Sequence, residues 1–258
     1  MVYIVFIMAL QITTKNWHRH MLCGLALYAI ISVCIGSVID PDVSALGHSA
    51  PEPGSYEAPV VQVYSARAWG KKGKLAVHTW IFTKARNADF YRRHEILGWQ
   101  LRWSDNALRS SRWYGKNNPK WYGNSATLLV EHRGEAVGEM IERIEAAIDN
   151  YPYKGEYRLW PGPNSNTFTA YLGKAVPELN LDLPSTAIGK DYRPLQDLFG
   201  YSASGSGFQV SMLGLFSLSL GIEEGIEANL LGLNFEWDIF DWAIELPGIG
   251  RIGYPQTP

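Results

Sequence analysis

The sequence is poor in cysteine and in charged residues. Its 258 residues include two cysteines, Cys23 and Cys34, and both lie in one apolar segment near the N-terminus. A disulfide framework, a zinc site with cysteine ligands and a cysteine nucleophile are therefore excluded for the rest of the chain. Charged residues make up 19%, below the roughly 25% of an average soluble domain, which excludes a highly polar chain of the kind that binds nucleic acid.

Acidic residues are scarce in the first part of the region that should fold. Residues 60–124 hold 13 Lys and Arg against 3 Asp and Glu, whereas residues 125–258 hold 8 against 18. Two interpretations stay open: the two parts attract each other within one globule, or the basic part faces an anionic partner such as lipid headgroups or an envelope polymer. The mixture of Trp, Tyr, Lys and Arg at 109–122 has two similar interpretations, a loop packed on the core or a surface for such a partner.

Apolar residues are abundant enough for a folded core. They make up 47% of the chain, with 10 Trp and 14 Tyr. This predicts one sizeable core, or one domain with an appendage.

One long apolar run, residues 21–39, has no charged residue in 19 positions. As a helix it would span about 28 Å, enough to cross a bilayer. Lys15 and Arg19 precede it and Asp40 and Asp42 follow, so the bulk of the chain should face the periplasm or the cell exterior. We predict a cytoplasmic segment at 1–20, a transmembrane anchor in the bilayer at 21–39 and a linker at 40–59; a cleaved signal sequence is the alternative for the apolar run.

Hydrophobic periodicity predicts strands at 60–66, 75–83 and 91–103, a long loop at 104–124 and another apolar run at 126–131. Helices are expected from Glu135 to about Asn150 and from about Asn164 to Lys174. Strands return after residue 200, with turns at 224–225 and 247–248. The expected fold class is α+β: an antiparallel sheet packed against two main helices at 60–200, with a β-rich extension at 201–258 packed on that domain.

The ionisable residues on apolar strands are the candidates for chemistry. His78 shares a strand face with Ala76, Trp80 and Phe82, because side chains alternate along a strand. The same rule, applied to the strand at 91–103, points Glu95 inward and His94 outward. A carboxylate on an apolar face needs a hydrogen-bond partner, and the imidazole of His78 on the neighbouring strand is a natural one.

Two segments resemble the circularly permuted papain-like fold of PPPDE peptidases and lecithin retinol acyltransferase. Residues 77–79 resemble the strand with the catalytic histidine, and residues 164–168 resemble the helix start Asn-Cys-Asn-Thr-Phe, which packs the nucleophile against that strand. The resemblance implies that His78 and Ser165 are catalytic, with Ser165 in place of the family's cysteine. Glu95 would then orient the imidazole. The neighbouring motif residues are the predicted substrate-binding groups: Asn164, Asn166, Trp80 and Trp160.

Most of the chain, from about residue 61 to residue 253, also resembles an uncharacterised bacterial family of membrane-anchored envelope proteins with a domain of unknown function. The similar segments are 68–70, 78–80, 160–168 and 187–192. This resemblance implies an envelope location and no particular activity.

Two functional classes follow. One is a serine-type hydrolase or acyltransferase that cleaves amide or ester bonds of an envelope polymer or lipid with Ser165 and His78. The other is a non-catalytic envelope-binding or structural protein with an inactive papain-like pocket, in which Ser165 is only a helix cap. No metal site or cofactor is expected, since the histidines have no ligand-like spacing, and no nucleic acid partner is expected.

The predicted anchor has a direct test. A reporter enzyme that is active only outside the cytoplasm, fused after Pro258, should be active in the intact cell, because the positive-inside rule places the C-terminus there. Activity of a reporter restricted to the cytoplasm would contradict this orientation.

Overall fold

The computed structural model describes residues 51–114, 119–239 and 242–253. Its first layer is a six-stranded antiparallel sheet in the order β4-β3-β2-β1-β6-β5. The strands are β1 (Val60–Arg67), β2 (Val77–Lys84), β3 (Tyr91–Ile96), β4 (Leu108–Trp113), β5 (Lys120–Trp121) and β6 (Asn124–Arg133). Two α-helices lie within the described residues, α1 (Val137–Asp149) and α2 (Ser165–Ala175), close to the two helices expected from the sequence.

Both helices cover the same face of this sheet. Thr79 of β2 bonds to Thr169 of α2 at 2.6 Å, and Ile81 lies in the same hydrophobic core as Ile144 of α1 and Phe168 of α2. Odd-numbered positions of β2 therefore face the helices, because successive side chains of a strand point to opposite faces. His78, Trp80 and Phe82 face the other way.

The opposite face is concave and aromatic. A β-bulge at Val63–Tyr64 bends β1 against β6. The ring of Trp121, on edge strand β5, stacks on His78 of β2 with centroids 3.6 Å apart, although β1 and β6 lie between these strands. A flat sheet would hold β2 and β5 roughly 14 Å apart, so the sheet must curl around this face. The enclosed cluster consists of Val60, Tyr64, Ala66, Trp80, Phe82 and Tyr91.

The C-terminal part forms a second antiparallel sheet of seven strands, each paired with its neighbour in sequence. The strands are β7 (Phe199–Tyr201), β8 (Phe208–Met212), β9 (Phe216–Gly221), β10 (Gly225–Leu230), β11 (Leu233–Asp238), β12 (Ala243–Leu246) and β13 (Gly250–Ile252). Strands and turns in this tail agree with the sequence pattern.

The two faces of the second sheet have opposite chemistry. Directly paired residues point to the same side, and the pairing aligns three apolar rows on the outer side. These outer rows are Tyr201-Phe208-Leu220-Ile226-Trp237-Ile244-Ile252, Phe199-Val210-Leu218-Ala228-Phe235 and Met212-Phe216-Leu230-Leu233. The inner side instead aligns Gln209, Ser219, Glu227, Glu236 and Glu245, all buried.

The inner side is held by a buried polar layer around the 189–192 turn. Lys190 is fully buried, with its Nζ 2.9 Å from Glu227 and 3.6 Å from Glu236. The carboxylate of Asp191 accepts hydrogen bonds from Gln209 at 2.6 Å and Asn229 at 2.9 Å. Burial raises the pKa of Glu227 and Glu236 well above the ordinary carboxyl range, against the opposing charge of Lys190.

The expected fold class is wrong. The described residues form two antiparallel sheets of six and seven strands with two α-helices, a mostly β architecture and not a papain-like α+β domain. The predicted loop at 104–124 contains β4 and β5, and the predicted third strand ends at Ile96, followed by a 3-10 helix at Gly98–Arg102. Alternation is weak in these segments, and their strand pairing comes from contacts with distant strands.

The predicted anchor at 21–39, the segment at 1–20 and most of the linker lie outside the described residues. No helix within the described ranges is long and apolar enough to cross a membrane.

The polar layer predicts a pH-dependent effect of Lys190. Lys190→Met should destabilise the protein by about 3–5 kcal/mol at a pH high enough to ionise Glu227 and Glu236, because these buried carboxylates lose their cation. The loss should shrink at lower pH, where Glu227 and Glu236 are protonated in the folded protein and need no counter-charge. Chemical denaturation at high and at low pH measures the free energy of unfolding. Lys71→Met is the control, because Lys71 is exposed.

A loss of stability that stays the same from low to high pH would contradict the proposed ion pairing. A similar loss in Lys71→Met would show that removal of a positive charge matters more than its place in the polar layer.

Candidate ligand-binding site

A buried three-residue cluster of His78, Glu95 and Arg93 lies on the concave face of the first sheet. The Nε2 of His78 is 3.0 Å from Oε2 of Glu95, and the guanidinium of Arg93 donates to the same oxygen at 2.9 Å. Trp80 and Trp121 enclose the cluster, since the Arg93 guanidinium lies 4.3 Å and 5.5 Å from their ring centroids. His78 and Glu95 therefore meet as strand alternation predicts.

The charges of this cluster follow from burial and hydrogen bonding. Burial lowers the pKa of His78, and this outweighs the hydrogen bond and charge of Glu95, which raise it. Burial alone would raise the pKa of Glu95, but hydrogen bonds from His78 and Arg93 and the charge of Arg93 hold it below its ordinary value. The cluster is thus a carboxylate, a guanidinium and a neutral imidazole at neutral pH.

The hydrogen bond to Glu95 decides which nitrogen of His78 carries the proton. A carboxylate only accepts, so Nε2 of the neutral ring donates and Nδ1 keeps its lone pair. Within the described ranges, Nδ1 has no hydrogen-bond partner. This atom is able to accept a hydrogen bond from a ligand hydroxyl.

Ser165 is not brought to this cluster. It is the first residue of α2, and this helix packs on the sheet face opposite the one to which His78 points. Its hydroxyl makes no hydrogen bond to His78 or to any other described residue. The predicted Ser165–His78 pairing is therefore absent from the structure.

The cap of α2 is Asn164, not Ser165. Its Oδ1 accepts from the backbone N–H groups of Asn166 at 2.9 Å and Thr167 at 3.2 Å, and Thr167 Oγ1 accepts from the Asn164 N–H in return. This capping box occupies donors that a hydrolase would aim at an oxyanion. The alternative that Ser165 is itself the helix cap is therefore wrong as well.

The predicted substrate-binding residues lie in different places. Trp80 is fully buried beside His78, whereas Asn166 ties α2 to β2 through the carbonyls of Val77 at 3.1 Å and Ile188 at 2.8 Å. Trp160 is half-exposed and donates to the Leu231 carbonyl of the second sheet at 3.0 Å. Catalytic and substrate-binding roles for these residues stay predictions.

The expected outward position of His94 is wrong. This histidine is fully buried on the helix face of β3, where Nδ1 contacts the hydroxyl of Ser110 at 2.8 Å and Nε2 lies 3.3 Å from Glu145 of α1. Strand alternation placed it correctly on the face opposite Glu95, but a helix covers that face.

Three loops meet at the end of the first sheet next to His78. They connect β1 to β2, β3 to β4 and β5 to β6, and the antiparallel register places them at one end. Trp69 and Tyr122 contact each other there with ring centroids 5.9 Å apart, and both are more than half-exposed. Tyr122 also packs edge-on against Trp121, which stacks on His78.

Lysines surround this aromatic pair. Lys71, Lys72 and Lys74 are exposed in the loop after Trp69, and Lys120 is exposed on β5. We call these four lysines with Trp69 and Tyr122 the basic-aromatic end. The basic balance of residues 60–124 and the aromatic and basic segment 109–122, which ends at Tyr122, are the sequence signals for this surface, but nothing in the sequence indicates that Trp69 meets Tyr122.

Within the described ranges, no group of three or more His, Cys, Asp or Glu side chains is arranged to hold a metal ion. Comparison with protein families gives one match, a protein of unknown function (DUF3750), over residues 58–192. The chain belongs to the DUF3750 family. The DUF3750 region includes the first sheet, both helices and the 189–192 turn, and it ends before β7. No curated protein and no solved structure matches the chain.

The cluster predicts a specific change in the titration of His78. Glu95→Gln should lower the pKa of His78 further, because the imidazolium loses the carboxylate that stabilises it. An NMR titration of the imidazole measures the shift. His94→Gln is the matched control, since His94 lies on the other face of the same strand, and it should leave His78 unchanged.

A His78 pKa that Glu95→Gln leaves unchanged would remove Glu95 from the cluster. An equal shift in His94→Gln would indicate a general change of the sheet.

Proposed function

We propose that this protein binds an anionic saccharide polymer of the cell envelope at the basic-aromatic end, without catalysing a reaction on it. The observation that carries the proposal is the exposed Trp69–Tyr122 pair surrounded by lysines. The envelope location rests on the apolar segment at 21–39 and the charges that flank it.

The aromatic pair supports a saccharide ligand. The face of an indole or phenol ring carries negative charge density, and the C–H groups of a sugar ring are weakly positive. Trp69 and Tyr122 are 64% and 59% exposed, so their rings are available for this stacking.

The charges around the pair support an anionic ligand. Lys71, Lys72, Lys74 and Lys120 face solvent, and Glu95 of the buried cluster is already paired with Arg93. The three loops that meet here contain one acidic residue, the exposed Asp105, so an anionic chain would still meet an excess of positive charge. Residues 60–124, which include this end of the sheet, contain more Lys and Arg than Asp and Glu.

The buried cluster gives the surface its rigidity. Arg93 lies over the rings of Trp80 and Trp121, and Trp121 in turn supports Tyr122. A binding platform that is fixed before the ligand arrives loses less side-chain entropy on binding. His78 thus supports the platform through its stacking on Trp121.

Three observations favour binding over hydrolysis. His78 and Ser165 are not hydrogen-bonded, α2 packs on the face away from the His78 side chain, and the Asn164 cap occupies the N–H groups of Asn166 and Thr167. A serine nucleophile needs an adjacent base and donors for the developing oxyanion.

Co-sedimentation with insoluble peptidoglycan, a glycan with peptide carboxylates, tests the proposal. The full-length chain in mild detergent should bind, and Tyr122→Ala should weaken binding by roughly fivefold, or about 1 kcal/mol. Binding should also weaken as salt is raised, because exposed charges are screened.

Tyr114→Ala is the control, because Tyr114 is 55% exposed but follows β4 at the opposite end of the sheet. It should bind as the parent protein does. No binding by the parent protein, or equal losses in both tyrosine variants, would contradict the proposal.

A further inference from the structure

The outer face of the second sheet is apolar across all seven strands. Its three outer rows contain no ionisable carboxylate or amine, and twelve of their large side chains are exposed, from 37% for Ile226 to 63% for Phe199, whereas Leu230, Leu233 and Phe235 are half-buried. The polar residues of the same strands are buried on the inner side, against the 189–192 turn. The usual arrangement of a half-buried sheet, apolar inside and polar outside, is thus reversed.

The size of this face is large for a surface that stays in water. About a dozen large side chains, each leaving on the order of 100 Å² exposed, give roughly 1,200 Å² of apolar surface. The largest apolar patch of a typical monomer is about 300–600 Å². A stable protein interface buries about 800 Å² on each partner.

We propose that this face is a homodimer interface, in which two copies of the chain pack their second sheets against each other. The apolar area of one face exceeds what one partner of a stable dimer needs, and the absence of charge in the outer rows leaves nothing for a charged partner to pair with. A second copy offers the same uncharged surface by symmetry.

The dimer gives the second sheet a core of the normal kind. Two sheets packed face to face lie about 10 Å apart and interdigitate the side chains of their inner faces. The outer rows of both copies become that core, and the polar layer around Lys190 continues to join each second sheet to the 189–192 turn of its own chain. Both faces of the sheet are then buried: the outer face against apolar side chains of the second copy, and the inner face against polar groups of its own chain.

A lipid bilayer fits this face less well than a second copy of the chain does. The outer rows contain no lysine or arginine that could attract anionic headgroups, and residues 125–258, which include this sheet, carry 18 acidic against 8 basic residues.

Sedimentation equilibrium of the full-length chain in a density-matched mild detergent tests the proposal. The parent protein should have twice the chain mass of 28.9 kDa. Trp237→Lys, in the longest outer row, should raise the dimer dissociation constant at least tenfold, because it places a charge in an apolar interface. Trp103→Lys is the matched control: Trp103 is 68% exposed against 58% for Trp237, but lies beside the first sheet, and its variant should stay dimeric.

Leu218→Lys is the second variant, and circular dichroism shows whether each variant is folded. A folded Trp237→Lys or Leu218→Lys that remains as dimeric as the parent protein overturns the proposal. So does a monomeric parent protein, or loss of the dimer in Trp103→Lys as well.

Cross-linking tests the same interface without a disruptive charge. Ala228 lies in the middle row of the middle strand, so the two copies should meet near this residue. With Cys23 and Cys34 replaced by serine, Ala228→Cys should give a cross-linked dimer with a short bismaleimide, and Trp103→Cys should not. Equal cross-linking at both positions, or none at 228, overturns the proposal, as does flotation of Ala228→Cys with phosphatidylcholine vesicles as a monomer.

Discussion

The alternation of side chains along β-strands is the constraint on which both halves of this protein depend. In β2 it sends Thr79 and Ile81 toward the helices and His78 and Trp80 toward the concave aromatic face. One strand therefore contributes to two separate cores. In the second sheet the same alternation sorts apolar residues to the outer side and polar residues to the inner side. Each side chain of a strand points to one face of the sheet only, so each position packs in one of the two cores and not in the other.

Buried charge is stabilised in two different ways. The carboxylate of Glu95 receives hydrogen bonds from His78 and Arg93, and its pKa stays below the ordinary value although burial opposes ionisation. In the polar layer, burial raises the pKa of Glu227 and Glu236. The single cation of Lys190 lowers the pKa of both groups but does not offset the effect of burial. The first cluster is a rigid ionised support for aromatic rings. The second joins the seven-stranded sheet to the 189–192 turn through groups whose charge depends on pH.

Curvature connects the buried cluster to the surface. Because the first sheet curls, Trp121 of an edge strand reaches His78, and the adjacent Tyr122 meets Trp69 from another loop. The exposed aromatic pair is thus supported by stacked rings that extend to Arg93. The binding proposal and the dimer proposal use different surfaces, one at the loop end of the first sheet and one on the outer rows of the second.

Local patterns in the sequence determined the two helices, the three strands near the start of the folded region, the β-rich tail and the shared face of His78 and Trp80, because caps, periodicity and turns act over a few residues. Only the tertiary structure decided that His94 is covered by α1, that Asn164 is the cap of α2 and that Ser165 lies away from His78. It also decided that Lys190 of the 189–192 turn lies between the carboxyl groups of Glu227 and Glu236, on two strands far away in the sequence. Strand order, sheet curvature and the side on which a helix docks arise from contacts between residues far apart in the chain, and no local pattern encodes them.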